Sequence, residues 1–256
     1  YQRSECERGS AKPVTRYPMT QPTPRSLGFR MPAEWESQEA IWLSWPHNEI
    51  TWPGGLLAEV ERSYVEIIQA LHTGQKIKLL VPGDDAEARV RGKLGAAGVE
   101  LAQVVFYRIP TQDTWIRDYG PTFIVNPATR KAALVKWTFN AWGNKYEDLI
   151  ADNGIPHELN RYLRLPVFDA GIVMEGGSIE VNGAGAVLTT EQCLLNKNRN
   201  PRLSRAEIED HLREYLGVSN ILWLKEGIAG DDTDGHIDDI ARFAGEKTVV
   251  CAFEDD

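Results

Sequence analysis

The spacing of apolar residues changes period along this chain, and each change predicts an element. "EAIWLSWP" (39–46) is a short apolar run of strand length. In the following "GLLAEVERSYVEIIQALHTG", Leu57, Val60, Tyr64, Ile67, Ile68 and Leu71 recur at helical spacing, which predicts an amphipathic helix stopped near Gly74. "KIKLLVP" (76–82) predicts a strand, "DAEARVRGKLGAAG" a short helix and "QVVFYRIP" (103–110) a further strand. "PTFIVNP" and "KAALVKWTF" predict a hairpin, and "YEDLIADNGIPHELNRYL" a helix interrupted at Ile155-Pro156, where the residue before proline disfavours helical geometry. "PVFDAGIVME", "SIEVNG", "AVLTTEQCLL" and "NILWL" read as strands. "SRAEIEDHLREYLG" reads as a helix opened by a capping box of Ser204 and Glu207. Strands and helices alternate, so the class is α/β or α+β.

The two ends break this rhythm. Residues 1–28 lack hydrophobic periodicity and are expected to form a disordered tail, with Met19 a candidate natural start; the organised body is expected over 29–256. "KTVVCAFEDD" predicts a strand and an acidic turn with nothing after them to close a fold, so the chain is expected to be a fragment. In between, 256 residues with 42% hydrophobic content suffice for a packed core. The formal charge of −9 argues against a nucleic-acid or anionic-membrane surface and is compatible with a small cationic substrate. Cys6, Cys193 and Cys251 show no C-x-x-C spacing, which favours a reducing, cytoplasmic setting over a disulfide scaffold or a cysteine zinc site. No run approaches the ~18 apolar residues of a membrane span. The first strand-to-helix connection, "WPHNEITWPGG", lacks the glycine fingerprint of a dinucleotide fold, and no Walker A sequence occurs.

Three clusters could carry chemistry. In "DDTDGHIDD" (231–239), an EF-hand register would put Gly230 and Ala241 where carboxylates must stand, and no second histidine is near enough in sequence for zinc. If the segment is extended, His236 and Asp238 share one face while Ile237 points into the core; the alternative is a tight "TDG" turn with solvated side chains. "DTWIRDYGP" (113–121) offers an indole, Trp115, and a carboxylate, Asp118, suited to a planar cation, or else a core tryptophan beside an Arg117-Asp118 surface pair. "MEGGSIEVNG" places Glu175 before two glycines that admit close approach, or else is a glycine bulge with a solvated glutamate. Together the clusters suit a guanidinium, a flat cation whose forked N–H donors match paired carboxylates.

"WIRDYGP", "EGGSIEVNG", "TTEQCLLNKNRNP" and "DDTDGHIDD", in that order, resemble the agmatine deiminase and bacterial peptidyl-arginine deiminase family. The resemblance runs from about "FRMPAEW" to the end. It implies a pentein fold, a pseudo-five-fold β/α propeller of which this chain would hold about three of five blades. It implies His236 as acid/base, Asp118 and Asp238 as guanidinium-gripping carboxylates, Trp115 beside the substrate and Glu175 at an acidic family position. The implied reaction, with no cofactor or metal, turns a guanidino group into a ureido group, most simply agmatine into N-carbamoylputrescine on the way to putrescine. Peptidyl-arginine deimination and a non-catalytic guanidino-binding remnant are the alternatives, and a homo-oligomer is compatible with either. Tyr119 and Asp234 or Asp239 depart from the agmatine deiminase pattern and keep other guanidino substrates open. Cys193 falls at a structural position of its motif. Cys251, on an expected interior strand, reads as a small buried hydrophobe. The family's nucleophilic cysteine lies beyond Asp256, so this chain alone is expected to be inactive.

Overall fold

A computed structural model describes residues 21–254. Its strands form four small sheets. In the first, β1 (Ala40–Ser44), β2 (Lys76–Val81) and β3 (Val104–Arg108) run parallel. Parallel neighbours need crossovers, which α1 (Leu56–Leu71) and α2 (Asp84–Ala96) supply. In the second, β4 (Thr122–Asn126) and β5 (Lys131–Thr138) make an antiparallel hairpin, and β6 (Val167–Val173) adds parallel to β5. The third repeats that plan: β7 (Glu180–Val181) is antiparallel to β8 (Ala186–Thr190), and β9 (Asn220–Leu224) is parallel to β8. The fourth is a hairpin of β10 (Ala241–Gly245) and β11 (Thr248–Cys251).

Most expected elements are present, and the departures have local causes. Residues 147–154 wind as a 3-10 stretch, and α3 (Ile155–Leu163) starts where an interruption was expected. Pro156 sits in its first turn, where a missing N–H is harmless. "AVLTTEQCLL" divides at Thr190, whose hydroxyl accepts from the Cys193 amide at 3.1 Å and turns the chain into a helical turn, Glu191–Leu194. Both bonds of the expected capping box open α4 (Arg205–Leu216). The first twenty residues of the expected tail lie outside the described residues, but the tail does not extend to 28. Thr23 is buried and donates to Glu214 Oε2 at 2.6 Å, Arg25–Leu27 form a 3-10 turn, and Arg30 bridges to Val125. Polar bonds hold this segment, so it leaves no apolar periodicity to read. Cys251 is exposed and not an interior hydrophobe, because β11 pairs only with β10 among the described residues.

Among the described residues four hydrophobic clusters stabilise the body, and the two largest hold the sheets to their helices. Ile68, Ile77, Leu79, Val90 and Leu94 pack α1 and α2 on the first sheet, while Ile67 of the expected helical stripe is 43% exposed. Ile124, Val135, Ile172, Met174, Val187, Ile208 and Leu212 join the second and third sheets to α4. Parallel pairing gives β3, β6 and β9 a common role: each ends in a loop, and those three loops meet. Among the described residues no helix is long and apolar enough to cross a membrane.

Candidate functional site

The loop after β3 is fixed from beneath before it delivers its side chains. Asp152 accepts from the Gln112 and Asp113 amides at 2.6 and 3.0 Å, Thr114 Oγ1 donates to the Ser44 carbonyl at 2.6 Å, and Tyr119 Oη donates to the Asp113 carbonyl at 2.8 Å. Burial pushes the Asp152 carboxyl up to about 6. A single helical turn, Ile116–Tyr119, then sends Asp118 inward, while Trp115 stays 41% exposed with its ring 5.7 Å from that of Trp52. The alternative, an Arg117-Asp118 surface pair, does not form. Arg117 instead faces Glu34, Glu180 at 3.7 Å and Asp238 at 3.6 Å, and Asp118 is buried.

After β6, Met174 and Ile179 are both fully buried and pin a tight turn between them. Glu175 is equally buried, which removes the solvated-glutamate alternative. Its Oε1 accepts from Arg199 Nε at 2.7 Å, an ion pair with neither side chain exposed. The glycines that follow are dictated by neighbours. A Cβ on Gly176 would lie 2.0 Å from the Arg117 carbonyl. One on Gly177 would lie 2.4 Å from His236 Nδ1, 2.8 Å from Asp118 Oδ1 and 3.0 Å from Asp238 Oδ1. The bare backbone of Gly177 thus forms the floor on which three candidate side chains meet, and its amide donates to Asp118 Oδ1 at 2.9 Å.

After β9, the turn is built around Asp231. Its carboxylate accepts from Thr233 N and Oγ1 and from the Gly235 and His236 amides. These bonds outweigh the upward push of burial and hold its pKa below the ordinary value. Asp234 (φ 67°) and Gly235 (φ 85°) take left-handed geometry, so the "TDG" turn is real, yet its histidine is not a surface residue. His236 is 3% exposed and precedes a 3-10 turn, Ile237–Asp239, in place of the extended segment. Fully buried Ile237 still separates His236 from Asp238 and anchors both.

The imidazole therefore has two polar edges. Nδ1 faces Asp118 Oδ1 at 3.7 Å and Asp238 Oδ1 at 3.9 Å; Nε2 faces Glu175 Oε2 at 3.9 Å and has no hydrogen-bond partner among the described residues. Burial alone would lower the imidazole pKa, but the Asp118 charge, with Cys193 and Glu175 alongside, raises it to about 11. Asp238 is raised to about 6, chiefly by burial and against the pull of Arg117. Cys193 Sγ lies 3.9 Å from Glu175 Oε2, and burial pushes its thiol up. Glu175, Cys193 and His236 could close on a metal ion, their donor atoms lying within 4.8 Å of one another. A metal bound there would have to displace protons from the imidazole and the thiol.

All five residues singled out in the sequence are placed: Asp118, Glu175, His236 and Asp238 meet, and Trp115 stands apart at the surface. The sequence reading missed the groups that hold them. Arg199 donates to Glu175, Asn198, Asp234 Oδ2 at 2.7 Å and the Thr233 carbonyl, tying two of the loops together. Trp142 Nε1 donates to Asp118 Oδ2 at 2.9 Å. Arg199 lies within a quoted motif, and a buried arginine has to find carboxylates. "FNAWGN" offered only an aromatic beside turn residues. Tyr119 and Asp234, which depart from the expected family pattern, spend their polar groups on the framework.

The sequence profile of the Porphyromonas-type peptidyl-arginine deiminases matches residues 30–256. A candidate agmatine deiminase of Legionella pneumophila is 42% identical over 91% of this chain and 65% of its own length. The agmatine deiminase of Medicago truncatula is 37% identical over 91% and 64%. Among solved structures, an agmatine deiminase of Enterococcus faecalis superimposes with a TM-score of 0.82 at 34% identity, covering 93% of this chain and 64% of that one. One from C. jejuni with substrate bound, carrying serine in place of a cysteine, gives 0.75 at 34%, covering 86% and 63%. The chain thus spans just under two thirds of the length of these relatives.

Two outcomes follow from the buried charges. Raised pKa values make the contributions of both His236 and Asp238 to stability fade with rising pH. For Asp238 the loss runs from 3.8 to about 6, and for His236 from 6.5 to about 11. The His236 Cε1–H NMR resonance should therefore stay at its imidazolium position from pH 5 to about 9; a midpoint near 6.5 would contradict the charge arrangement. Arg199→Met leaves Glu175 buried without its cation and should lower unfolding free energy by about 3–5 kcal/mol in urea titrations.

Proposed function

Because this chain belongs to the Porphyromonas-type peptidyl-arginine deiminase family, we propose that it carries the guanidinium-binding part of an amidine hydrolase acting on agmatine. In this reading Asp118 and Asp238 grip the forked N–H donors of the substrate. Trp115 offers an aromatic surface at the edge of the site, where the alkyl chain of agmatine can lie. His236, held as an imidazolium, protonates the departing nitrogen and then, as base, activates water. Glu175 faces the other edge of that ring. The observation that carries the reading is the meeting of His236 Nδ1, Asp118 Oδ1 and Asp238 Oδ1 over the bare backbone of Gly177.

The chemistry balances without a redox partner. A cysteine thiolate adds to the guanidinium carbon, one C–N bond breaks, and ammonia leaves with the proton from His236. Water then adds to the resulting thiouronium carbon, the C–S bond breaks, and the thiol is regenerated with the ureido product. From agmatine the product is N-carbamoylputrescine, an intermediate toward putrescine, and the setting we infer is the cytoplasm. Neither described cysteine suits the attack. Cys193 is fully buried on the Nε2 side of His236, away from the paired aspartates, and Cys251 is exposed on β11. We therefore place the nucleophile outside the described residues and expect this chain alone to be inactive. The recurrence of hairpin, crossover and parallel strand in β4–β6 and β7–β9, with β10–β11 repeating the opening hairpin, supports a reading as blades of a pentein propeller.

The full gene product should release ammonia from agmatine at a rate that His236→Ala or Asp118→Ala lowers by at least about 100-fold, while Cys193→Ala retains turnover. Ammonia from arginyl peptides and none from agmatine would move the substrate to peptidyl arginine, and none from either would leave a binding remnant. Loss of activity in Cys193→Ala, with the melting temperature kept, would make Cys193 the nucleophile.

A further inference from the structure

The segment after β5 does something no catalytic role requires of it. Ala141 (φ 51°), Trp142 (φ 54°, ψ 48°), Gly143 (φ 86°, ψ 33°) and Asn144 (φ 62°) lie in succession in the left-handed region, two of them, Ala141 and Trp142, with side chains that disfavour it. The turn is held from several directions. Asn140 accepts from the Gly143 amide and donates to the Asn198 carbonyl, both at 2.9 Å. Lys145 Nζ donates to the Asp232 carbonyl at 2.5 Å and Asp234 Oδ1 at 2.7 Å, and Tyr146 Oη donates to Asp232 Oδ2 at 2.7 Å. Gly143 has no alternative, because a Cβ there would lie 2.3 Å from Asn198 Nδ2.

What this geometry achieves is the placement of one indole. Trp142 is 7% exposed, packs edge-on against Phe139 (5.3 Å) and Tyr146 (5.8 Å), and has its N–H on Asp118 Oδ2. We propose that Trp142 is a positioning residue that aims Asp118 at the substrate. A carboxylate oxygen can accept about two hydrogen bonds. The framework takes one on each: Gly177 N on Oδ1 and Trp142 Nε1 on Oδ2, each at 2.9 Å. Rotation of the carboxylate is then blocked, and one lone pair on each oxygen is left over. Two parallel acceptors are what a guanidinium fork needs. The indole donates and cannot accept, so it fixes the carboxylate without competing for the substrate's protons. The third sheet has a counterpart: just as the loop after β5 of the second sheet reaches Asp118 beyond β3 of the first, the loop after β8 of the third sheet brings Arg199 onto Glu175 beyond β6 of the second. The β3 and β6 loops therefore carry functional carboxylates, and the β5 and β8 loops aim them.

The inference rests on Asp118 gripping the guanidinium, so the experiment has two arms. In the first, agmatine binding is measured by calorimetry on the wild-type protein and on Trp142→Phe, which keeps a ring and deletes the donor. The dissociation constant should rise roughly tenfold, the loss expected for one hydrogen bond to a charged group, with the melting temperature nearly unchanged. Equal affinity in a folded Trp142→Phe overturns the proposal. In the second arm, the indole Nε1–H resonance of Trp142 is followed in 15N-labelled protein and should shift strongly in Asp118→Asn. A Trp142 resonance indifferent to that substitution overturns the proposal. This arm needs no change at Trp142 and decides the matter if Trp142→Phe does not fold. If wild type binds no guanidino compound, the functional reading and with it the positioning role both fall, whereas equal affinity in Trp142→Phe beside a wild type that binds agmatine overturns the positioning role alone.

Discussion

The arrangement depends on the burial of charge around His236. An imidazolium without solvent is tolerable only beside carboxylates, and buried carboxylates are tolerable only beside cations or donors. Each requirement passes to the next group. His236 needs Asp118, Asp118 takes donors from Gly177 and Trp142, and Glu175 on the far edge of the ring needs Arg199. Arg199 reaches on to Asp234, and burial of that carboxyl is more than offset by bonds from Lys145, Asn198 and Arg199. The chain of demands ends at Lys145, which is exposed to solvent. This is why the site draws on loops far apart in sequence: no single loop holds enough charge of both signs to satisfy itself.

Topology brings those loops together. In three sheets the last two strands run parallel, so their carboxyl ends point the same way, and sites in such sheets form beyond those ends. β3 leads to Asp118, β6 to Glu175 and Gly177, and β9 to His236 and Asp238. Of four successive residues in left-handed geometry, Ala141 and Trp142 cost roughly 1–2 kcal/mol each. Strain of that size persists only where surrounding bonds over-determine the conformation, as they do around Asn140, Lys145 and Tyr146.

Much of this was legible in the sequence where one local rule governs. The capping box at Ser204, the hairpin of β4 and β5 and the apolar stripe of α1 follow from propensity and period. Asp118, Glu175, His236 and Asp238 were singled out as candidates in motifs whose residues suit a flat cation, and the structure brings those four together. The illegible parts depend on partners distant in the chain. Gly177 carries no sign that three side chains will crowd its Cα, and Thr23 is packed through a bond to Glu214, 191 residues away. Cys251 read as interior because strand propensity does not say whether a strand has an outer neighbour. Trp142 escaped because a left-handed turn is set by tertiary bonds that override the local preference of alanine and tryptophan.

The central claim is that Asp118 and Asp238, set over Gly177, form one guanidinium seat against the Nδ1 edge of His236. A crystal structure of the protein with agmatine tests this most directly. The account predicts the guanidinium within hydrogen-bond distance of both carboxylates, its central carbon facing that edge of the imidazole. A guanidinium bound elsewhere, or bound there with either aspartate turned away, would contradict it.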